Sequence, residues 1–129
     1  MTTAEASATV AHSILVVDDD PHIRDVVRFA FEKTGMTIST AQDGKEALRQ
    51  FDQNIHELVV LDIGMPEMDG YEVARRIRGE LGMADPLLVA LSGYGEDRHR
   101  RLAREAGFDQ HITKPVDASK LEELLKLPL

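Results

Sequence analysis

The chain contains no cysteine. Disulfides, thiolate zinc sites and cysteine nucleophiles are therefore excluded, and the cytoplasm is the expected compartment. No apolar run approaches the roughly 20 residues needed to cross a bilayer. The N-terminus has no basic segment followed by an apolar one, so no secretory signal is expected. Basic residues are in the minority: 15 Lys and Arg face 23 Asp and Glu, for a net charge of −8. That balance repels phosphate backbones and argues against direct nucleic-acid binding. It suits a site for a small cation. There is no internal repeat, and the only biased stretch is the Ala/Thr/Ser-rich beginning.

The chain's 129 residues fit one domain, and an apolar content of 43% is enough for a core. Residues 1–12 show no periodicity and are read as a mobile tail, with the folded domain over 13–129. Five short apolar runs alternate with five amphipathic stretches. The runs are Ile14–Val17, Met36–Thr40, Leu58–Leu61, Leu87–Leu91 and Gln110–Thr113. The first, third and fourth are almost continuously apolar, as parallel strands covered on both faces must be. The second alternates and the fifth is mostly polar, so these two are placed at the sheet edges.

The helices carry start and stop signals. Asp20 before Pro21 is a cap followed by a good first-turn residue. Ile23, Val26, Val27, Ala30 and Phe31 then form one apolar stripe, and Gly35 can end that helix. Asp43 and Asp69 each stand three residues before a glutamate, the spacing of capping boxes. The second helix is expected to bury Ala47, Leu48 and Phe51, and the third Val73, Ala74, Ile77 and Leu81. A fourth helix runs from near Glu96 to Gly107, and a fifth from Asp117 buries Leu121, Leu124 and Leu125. Strict β/α alternation implies a parallel sheet with helices on both faces, and right-handed crossovers make 2-1-3-4-5 the simplest strand order.

The polar residues that break this pattern sit at strand ends. Asp18, Asp19 and Asp20 follow the first strand, Asp62 ends the third, Ser92 ends the fourth and Lys114 ends the fifth. In an open α/β sheet the ligand crevice lies beyond the carboxyl ends of the strands, where the strand order reverses. The anomalies therefore converge. Three crowded carboxylates, Asp18, Asp19 and Asp62, raise one another's pKa unless a cation intervenes. Oxygen-only ligation with open positions suits Mg2+. Asp62 is ionised at neutral pH and needs no general base to attack phosphorus. Mg2+ and Lys114 are placed to neutralise the oxygens of a phosphoryl group in flight, with Ser92 donating a hydrogen bond once transfer is complete.

The segments Ile14-Leu-Val-Val-Asp-Asp-Asp-Pro21, Leu61-Asp-Ile-Gly-Met-Pro-Glu-Met-Asp-Gly70, Ala90-Leu-Ser-Gly93 and Thr113-Lys-Pro115 resemble the four signatures of bacterial response-regulator receiver domains. The match runs from about Ser13 to Leu125. The resemblance implies a flavodoxin-like (βα)5 doubly wound sheet. It also implies phosphorylation of Asp62 by a histidine kinase or a histidine phosphotransfer protein. Asp19, Asp62 and the Gly64 carbonyl would ligate Mg2+ directly, with Asp18 acting through a metal-bound water. Lys114 takes the place of the family's lysine, followed by a cis bond to Pro115. Ser92 and the residue at position 111 would form the switch, reshaping the surface around the fourth helix and fifth strand. The family often has Tyr or Phe at that last position; here it is His111, which a hydrophobic pocket would accept best when neutral. The Leu91–Gly95 and Gln110–Asp117 segments look most like receivers of hybrid sensor histidine kinases. The domain is thus expected to be a switch rather than an enzyme, either as a single-domain regulator or as part of a larger chain. No output module is visible, and the downstream target is unknown.

Plainer readings apply to several residues. Asp20 is taken as a cap and not a ligand, and Tyr94 as a loop residue near the site. Arg98, Arg100, Arg101 and Arg104 make the fourth helix basic, by default a solvated face. His12, His22, His56 and His99 lack metal-ligand spacing and are taken as surface residues. One competing function is a small phosphatase of the haloacid-dehalogenase type, using Asp18 as nucleophile. It would need a further acidic pair beyond the lysine, where only Asp117 stands. A flavin carrier of the same fold would need a phosphate-binding loop after the first strand, and the acidic loop there repels phosphate.

Overall fold

A computed structural model describes residues 13–32, 35–53, 56–65, 67–82, 86–93, 97–116 and 119–120. Residues 1–12, Pro66, Tyr94, Glu96 and the fifth-helix positions Asp117, Leu121, Leu124 and Leu125 lie outside these, as does the side chain of Arg98. The strands are β1 (Ser13–Val17), β2 (Thr37–Ala41), β3 (Leu58–Asp62), β4 (Leu87–Ser92) and β5 (Gln110–Thr113). The helices are α1 (Pro21–Glu32), α2 (Gly44–Gln53), α3 (Gly70–Arg75, running on into a π-helical turn over Arg76–Glu80) and α4 (Asp97–Ala106). All strand pairs are parallel, in the order β2-β1-β3-β4-β5. The expected flavodoxin-like order is thus observed, with β2 beginning and ending one residue later than its apolar pattern suggested.

The period of two along each central strand divides the core into two layers. Leu15, Val17, Val59, Leu61, Leu88 and Ala90 face α2, α3 and α4, meeting Ala47, Phe51, Val73, Ala74, Ile77, Ala103 and Ala106. Ile14, Val16, Leu58, Val60, Val89 and Leu91 face the other way, onto Val27 and Phe31 of α1. Burial on both sides explains why β1, β3 and β4 read as unbroken apolar runs.

The caps hold the connections that reach the site. Asp20 Oδ1 accepts the His22 amide at 2.9 Å, and Gly35 closes α1 at φ +79°. Asp43 accepts the Glu46 amide at 2.8 Å, while the Glu46 carboxylate reaches back to the Gln42 amide rather than to Asp43. Asp69 accepts the Glu72 amide at 3.0 Å, but Glu72 turns outward to Arg76, so only half of that box forms.

Two expectations fail. Leu81 is 37% exposed. Its amide bonds to the Arg76 carbonyl at 2.9 Å, closing the π-turn. Each residue of that wider turn advances less far around the axis, so Leu81 falls off the apolar face. His56 is not a surface residue: it is 3% exposed, with its ring edge-on to Phe51 at 5.3 Å between centroids. It stands two residues before the start of β3. His22 is exposed, as read, and His99 is half-buried.

Candidate functional site

Each element delivers one part of the crevice at the carboxyl end of the sheet. After β1 the chain remains held, because the Asp18 amide bonds to the Ala41 carbonyl of β2 at 3.2 Å. Asp18 is fully buried. Its Oδ1 accepts the Asp20 amide at 2.9 Å, and its carbonyl accepts Arg24 Nη1 from α1 at 2.7 Å. Asp19 next to it is exposed. Asp62 is the last residue of β3 and is 5% exposed. Its Oδ1 accepts the Gly64 amide at 3.0 Å, which turns the loop back over the carboxylate. Ser92 closes β4, 1% exposed, and its carbonyl accepts the Lys114 amide at 2.7 Å. The Lys114–Pro115 bond is cis.

Lys114 Nζ lies 3.3 Å from Asp18 Oδ2 and 3.5 Å from Asp62 Oδ2. Oxygens of Asp18, Asp19 and Asp62 all fall within 4.8 Å of one another. Burial pushes the Asp18 carboxyl up to about 6; the Asp62 charge adds to this, while the Asp20 amide and Lys114 work against it. Burial opposes the Lys114 charge, but Asp18 and Asp62 outweigh it and hold the ammonium above its usual range. One ammonium against three ionised carboxylates leaves the cluster with excess negative charge. Asp18 Oδ2, though in charge contact with Lys114, is buried without a hydrogen bond among the described residues. An all-oxygen donor set with surplus negative charge and an unsatisfied buried oxygen fits a hard divalent cation.

His111 stands beside Ala90 at the second position of β5. It is half-buried, and both ring nitrogens are buried with no partner among the described residues. Burial, with Arg100 and His99 nearby, holds its pKa below the usual histidine value. These surroundings favour the uncharged form of the ring.

All the sequence-predicted residues except those outside the described set come together here: Asp18, Asp19, Asp62, Gly64, Ser92 and Lys114 around the crevice, with His111 on the adjoining strand. Three supporting residues were missed. Arg24 on α1 donates to the Asp18 carbonyl from outside the apolar stripe of that helix. Lys120 Nζ bonds the carbonyls of Thr113 and Pro115 at 2.7 and 3.0 Å, holding the segment that carries Lys114. Gly70 packs directly against the Asp62 backbone. None breaks the sequence pattern, so no local signal marked them.

The family model for the response regulator receiver domain matches residues 14–126. The chain is 42% identical over 114 residues to an uncharacterized 14.6 kDa protein of Leptolyngbya boryana, covering 88% of this chain and 86% of that one. It is 34% identical over 113 residues to the alkaline phosphatase synthesis transcriptional regulatory protein PhoP of Bacillus subtilis, covering 88% of this chain and 46% of PhoP. A similarity of 37% over 113 residues links it to the sensor histidine kinase RcsC of Salmonella typhi, covering 87% of this chain and 12% of RcsC. The chain thus spans less than half of those two longer relatives. Among solved structures, the response regulator TrrA of Thermotoga maritima, in complex with Mg(2+)-BeF, superposes with a TM-score of 0.77 at 35% identity, covering 89% of this chain and 96% of that one. The resemblance to hybrid-kinase receivers is present, alongside resemblance to transcriptional regulators. A phosphatase acting through Asp18 finds no support among these relatives. With four strand ends converging on one acidic crevice and a family model spanning nearly all of the chain, this protein belongs to the response regulator receiver domain family, the phosphoacceptor modules of two-component signalling.

Proposed function

We propose that Asp62 takes the phosphoryl group, from a phosphohistidine of a histidine kinase or a histidine phosphotransfer protein, with Mg2+ as the cation. The observation that carries this reading is the Asp62 carboxylate at a strand end, 3.5 Å from Lys114 Nζ and within 4.8 Å of oxygens from Asp18 and Asp19. Asp19, Asp62 and the Gly64 carbonyl would hold the ion, with Asp18 reaching it through water. When bound, Mg2+ neutralises the carboxylates and the phosphoryl oxygens. The chain's own residues do the rest. An Asp62 oxygen forms the new P–O bond as the donor's N–P bond breaks, and the departing imidazole takes up a proton. The Gly64 amide holds Asp62 in one rotamer, and Lys114 balances the charge that collects on the phosphoryl group.

Ser92 then donates its hydroxyl to a phosphoryl oxygen, and the neutral His111 ring moves to follow. The surface around α4 and β5 changes as a result. The only chemistry is on the domain itself, taking up the phosphoryl group and losing it to water, so it is a switch and not a free-standing enzyme. The cysteine-free chain suits the cytoplasm. No helix among the described residues is long and apolar enough to cross a membrane. The site works the same way in a stand-alone regulator and in the receiver part of a hybrid histidine kinase.

The test is phosphotransfer from a radiolabelled histidine phosphotransfer domain. Label should appear on the wild-type chain with Mg2+, disappear with a chelator, and be absent from Asp62→Asn. Undiminished labelling of Asp62→Asn, or label mapped to Asp18, would overturn the reading. The His111 step has its own check: His111→Phe should remove the pH dependence of the phosphorylation-induced spectral change between about pH 5.5 and 8. Identical spectra from wild type and variant across that range would refute it.

A further inference from the structure

Lys114 brings its ammonium to the crevice from a segment with few apolar anchors. Ile112 and Val116 pack against the core on the α1 side of the sheet. The three residues between them do not, and Pro115 is exposed. Polar contacts must therefore fix where the Lys114 backbone stands. Its amide donates to the Ser92 carbonyl at 2.7 Å. The Thr113 carbonyl belongs to the same planar trans peptide unit and so points the opposite way. β5 ends the strand order, and on that side no further strand of the described sheet can supply a donor. The Lys120 ammonium supplies it instead. Its Nζ donates to the Thr113 carbonyl at 2.7 Å and to the Pro115 carbonyl at 3.0 Å, so one side chain brackets Lys114 from both neighbours.

These bonds form a chain. The Lys120 ammonium, the peptide between Thr113 and Lys114, and the Ser92 carbonyl follow one another as donor and acceptor, so each bond polarises the peptide in the sense that strengthens the other. A cationic donor at the head of the chain makes it stronger than a neutral one would. Without Lys120 the peptide is held from the Ser92 side alone. The consequence reaches the crevice, because Lys114 Nζ must meet Asp18 Oδ2 at 3.3 Å and Asp62 Oδ2 at 3.5 Å from the end of a flexible four-carbon stem. Any drift of the backbone adds to the spread of that stem. We propose that Lys120 is a positioning residue for phosphoryl transfer: it holds the Lys114 peptide against Ser92 and thereby sets the rate at which Asp62 takes up a phosphoryl group. It acts through Lys114 and not on the phosphoryl group itself. The proposal rests on the reading of Asp62 as the phosphoacceptor.

The experiment uses the full chain with Mg2+ and phosphoramidate, a small N–P donor that needs no partner protein. Uptake is followed by intact mass, and each rate is taken per folded molecule from urea denaturation of the same variant. Lys120→Met keeps the apolar stem and removes the donor. Its limiting rate at saturating phosphoramidate should fall about tenfold with KM little changed, since a misplacement well short of 1 Å costs less than the hundredfold of a full one. Lys120→Arg keeps a cationic donor and should recover most of the rate. In a Lys114→Met background, Lys120→Met should cause no further fall, because the residue through which it acts is gone. Hydrogen exchange at the Lys114 amide should be at least about tenfold faster in Lys120→Met, while β1 and β3 keep wild-type protection. An undiminished limiting rate in Lys120→Met, an equal loss in both Lys114 backgrounds, or an arginine variant no better than methionine would overturn the proposal. So would a lower Tm with wild-type rate and exchange, which marks a tie that only stabilises. Should Lys120→Met fail to fold, Lys120→Gln, with a neutral donor, is measured in the same way and should show a smaller loss of rate. A wild-type chain that takes no phosphoryl group would strike the Asp62 reading and the kinetic claim together. Unchanged exchange at Lys114 beside normal wild-type uptake would strike the Lys120 proposal alone.

Discussion

A methyl group added at Gly70 would sit 2.6 Å from the Asp62 carbonyl oxygen, 2.6 Å from Ile63 Cα and 3.0 Å from the Asp62 carbonyl carbon. Ordinary contact begins near 3.4 Å, so the strand end or α3 must give way by about 0.8 Å. The obstructing atoms are backbone and have no rotamer to escape into. Overpacking of this kind costs about 1–3 kcal/mol, and the absence of a flexible neighbour puts Gly70→Ala near the top of that range. The displaced segment carries the proposed phosphoacceptor, and a misplacement approaching 1 Å costs on the order of a hundredfold in rate. Stability and phosphotransfer should therefore fall together. Two other glycines calibrate the effect. A methyl group at Gly44 meets Val73 Cγ2 at 2.8 Å and Met68 Sδ at 3.0 Å, both side-chain tips that can yield, so Gly44→Ala should cost about 1 kcal/mol. Gly79, in the π-turn, has nothing within 4 Å, so Gly79→Ala should stabilise by about 0.5–1 kcal/mol. Urea denaturation at constant m-value measures all three. If Gly70→Ala lay within about 0.5 kcal/mol of Gly79→Ala, or kept the wild-type phosphotransfer rate, the close packing assigned to Asp62 and Gly70 would be wrong.

Burial lowers the His56 pKa, with the Gln50 backbone working the other way; the unfolded chain thus binds the proton more readily, so stability should decline as pH falls below about 6.5 and level off below the folded-state value. Denaturation of His56→Phe should lose that slope and keep the contact with Phe51, and a slope equal to wild type would refute the assignment. Asp18→Asn removes a buried charge from the carboxylate cluster, so without divalent cation the variant should melt above wild type. With millimolar Mg2+ wild type should gain Tm and the variant should gain less, and equal gains would show that Asp18 plays no part in holding the ion. Arg78→Ala loses the bonds to the Gly107 carbonyl at 3.0 Å and to Asp109 at 2.8 Å, which should lower stability by about 1–2 kcal/mol in urea denaturation. No loss at all would mean that solvent replaces both bonds.

The central strands were legible because burial on both faces forces an unbroken apolar run, and that demand is written locally into Ile14–Val17, Leu58–Leu61 and Leu87–Leu91. The acidic and basic residues at strand ends were legible for the opposite reason: each violates the apolar pattern, and a charge at the end of a buried strand needs a partner. His56 and Leu81 misled because neither has a local signature. A lone histidine in a loop reads as solvated until the fold closes over it. Leu81 has the spacing of a buried residue until one wider turn rotates it outward.

From sequence alone came the five alternating units, the edge strands, the caps at Asp20, Asp43 and Asp69, and the set Asp18, Asp19, Asp62, Ser92 and Lys114. These follow from short-range rules, chiefly the period of side chains along a strand or helix and the backbone bonds a cap must satisfy. Only the tertiary structure decided that Lys114 stands within 3.5 Å of both Asp18 and Asp62, that Asp109 is turned to Arg78, and that Arg100, Arg104 and His111 line one pocket. Such distances join residues far apart along the chain, and they are set by how helices pack across the sheet.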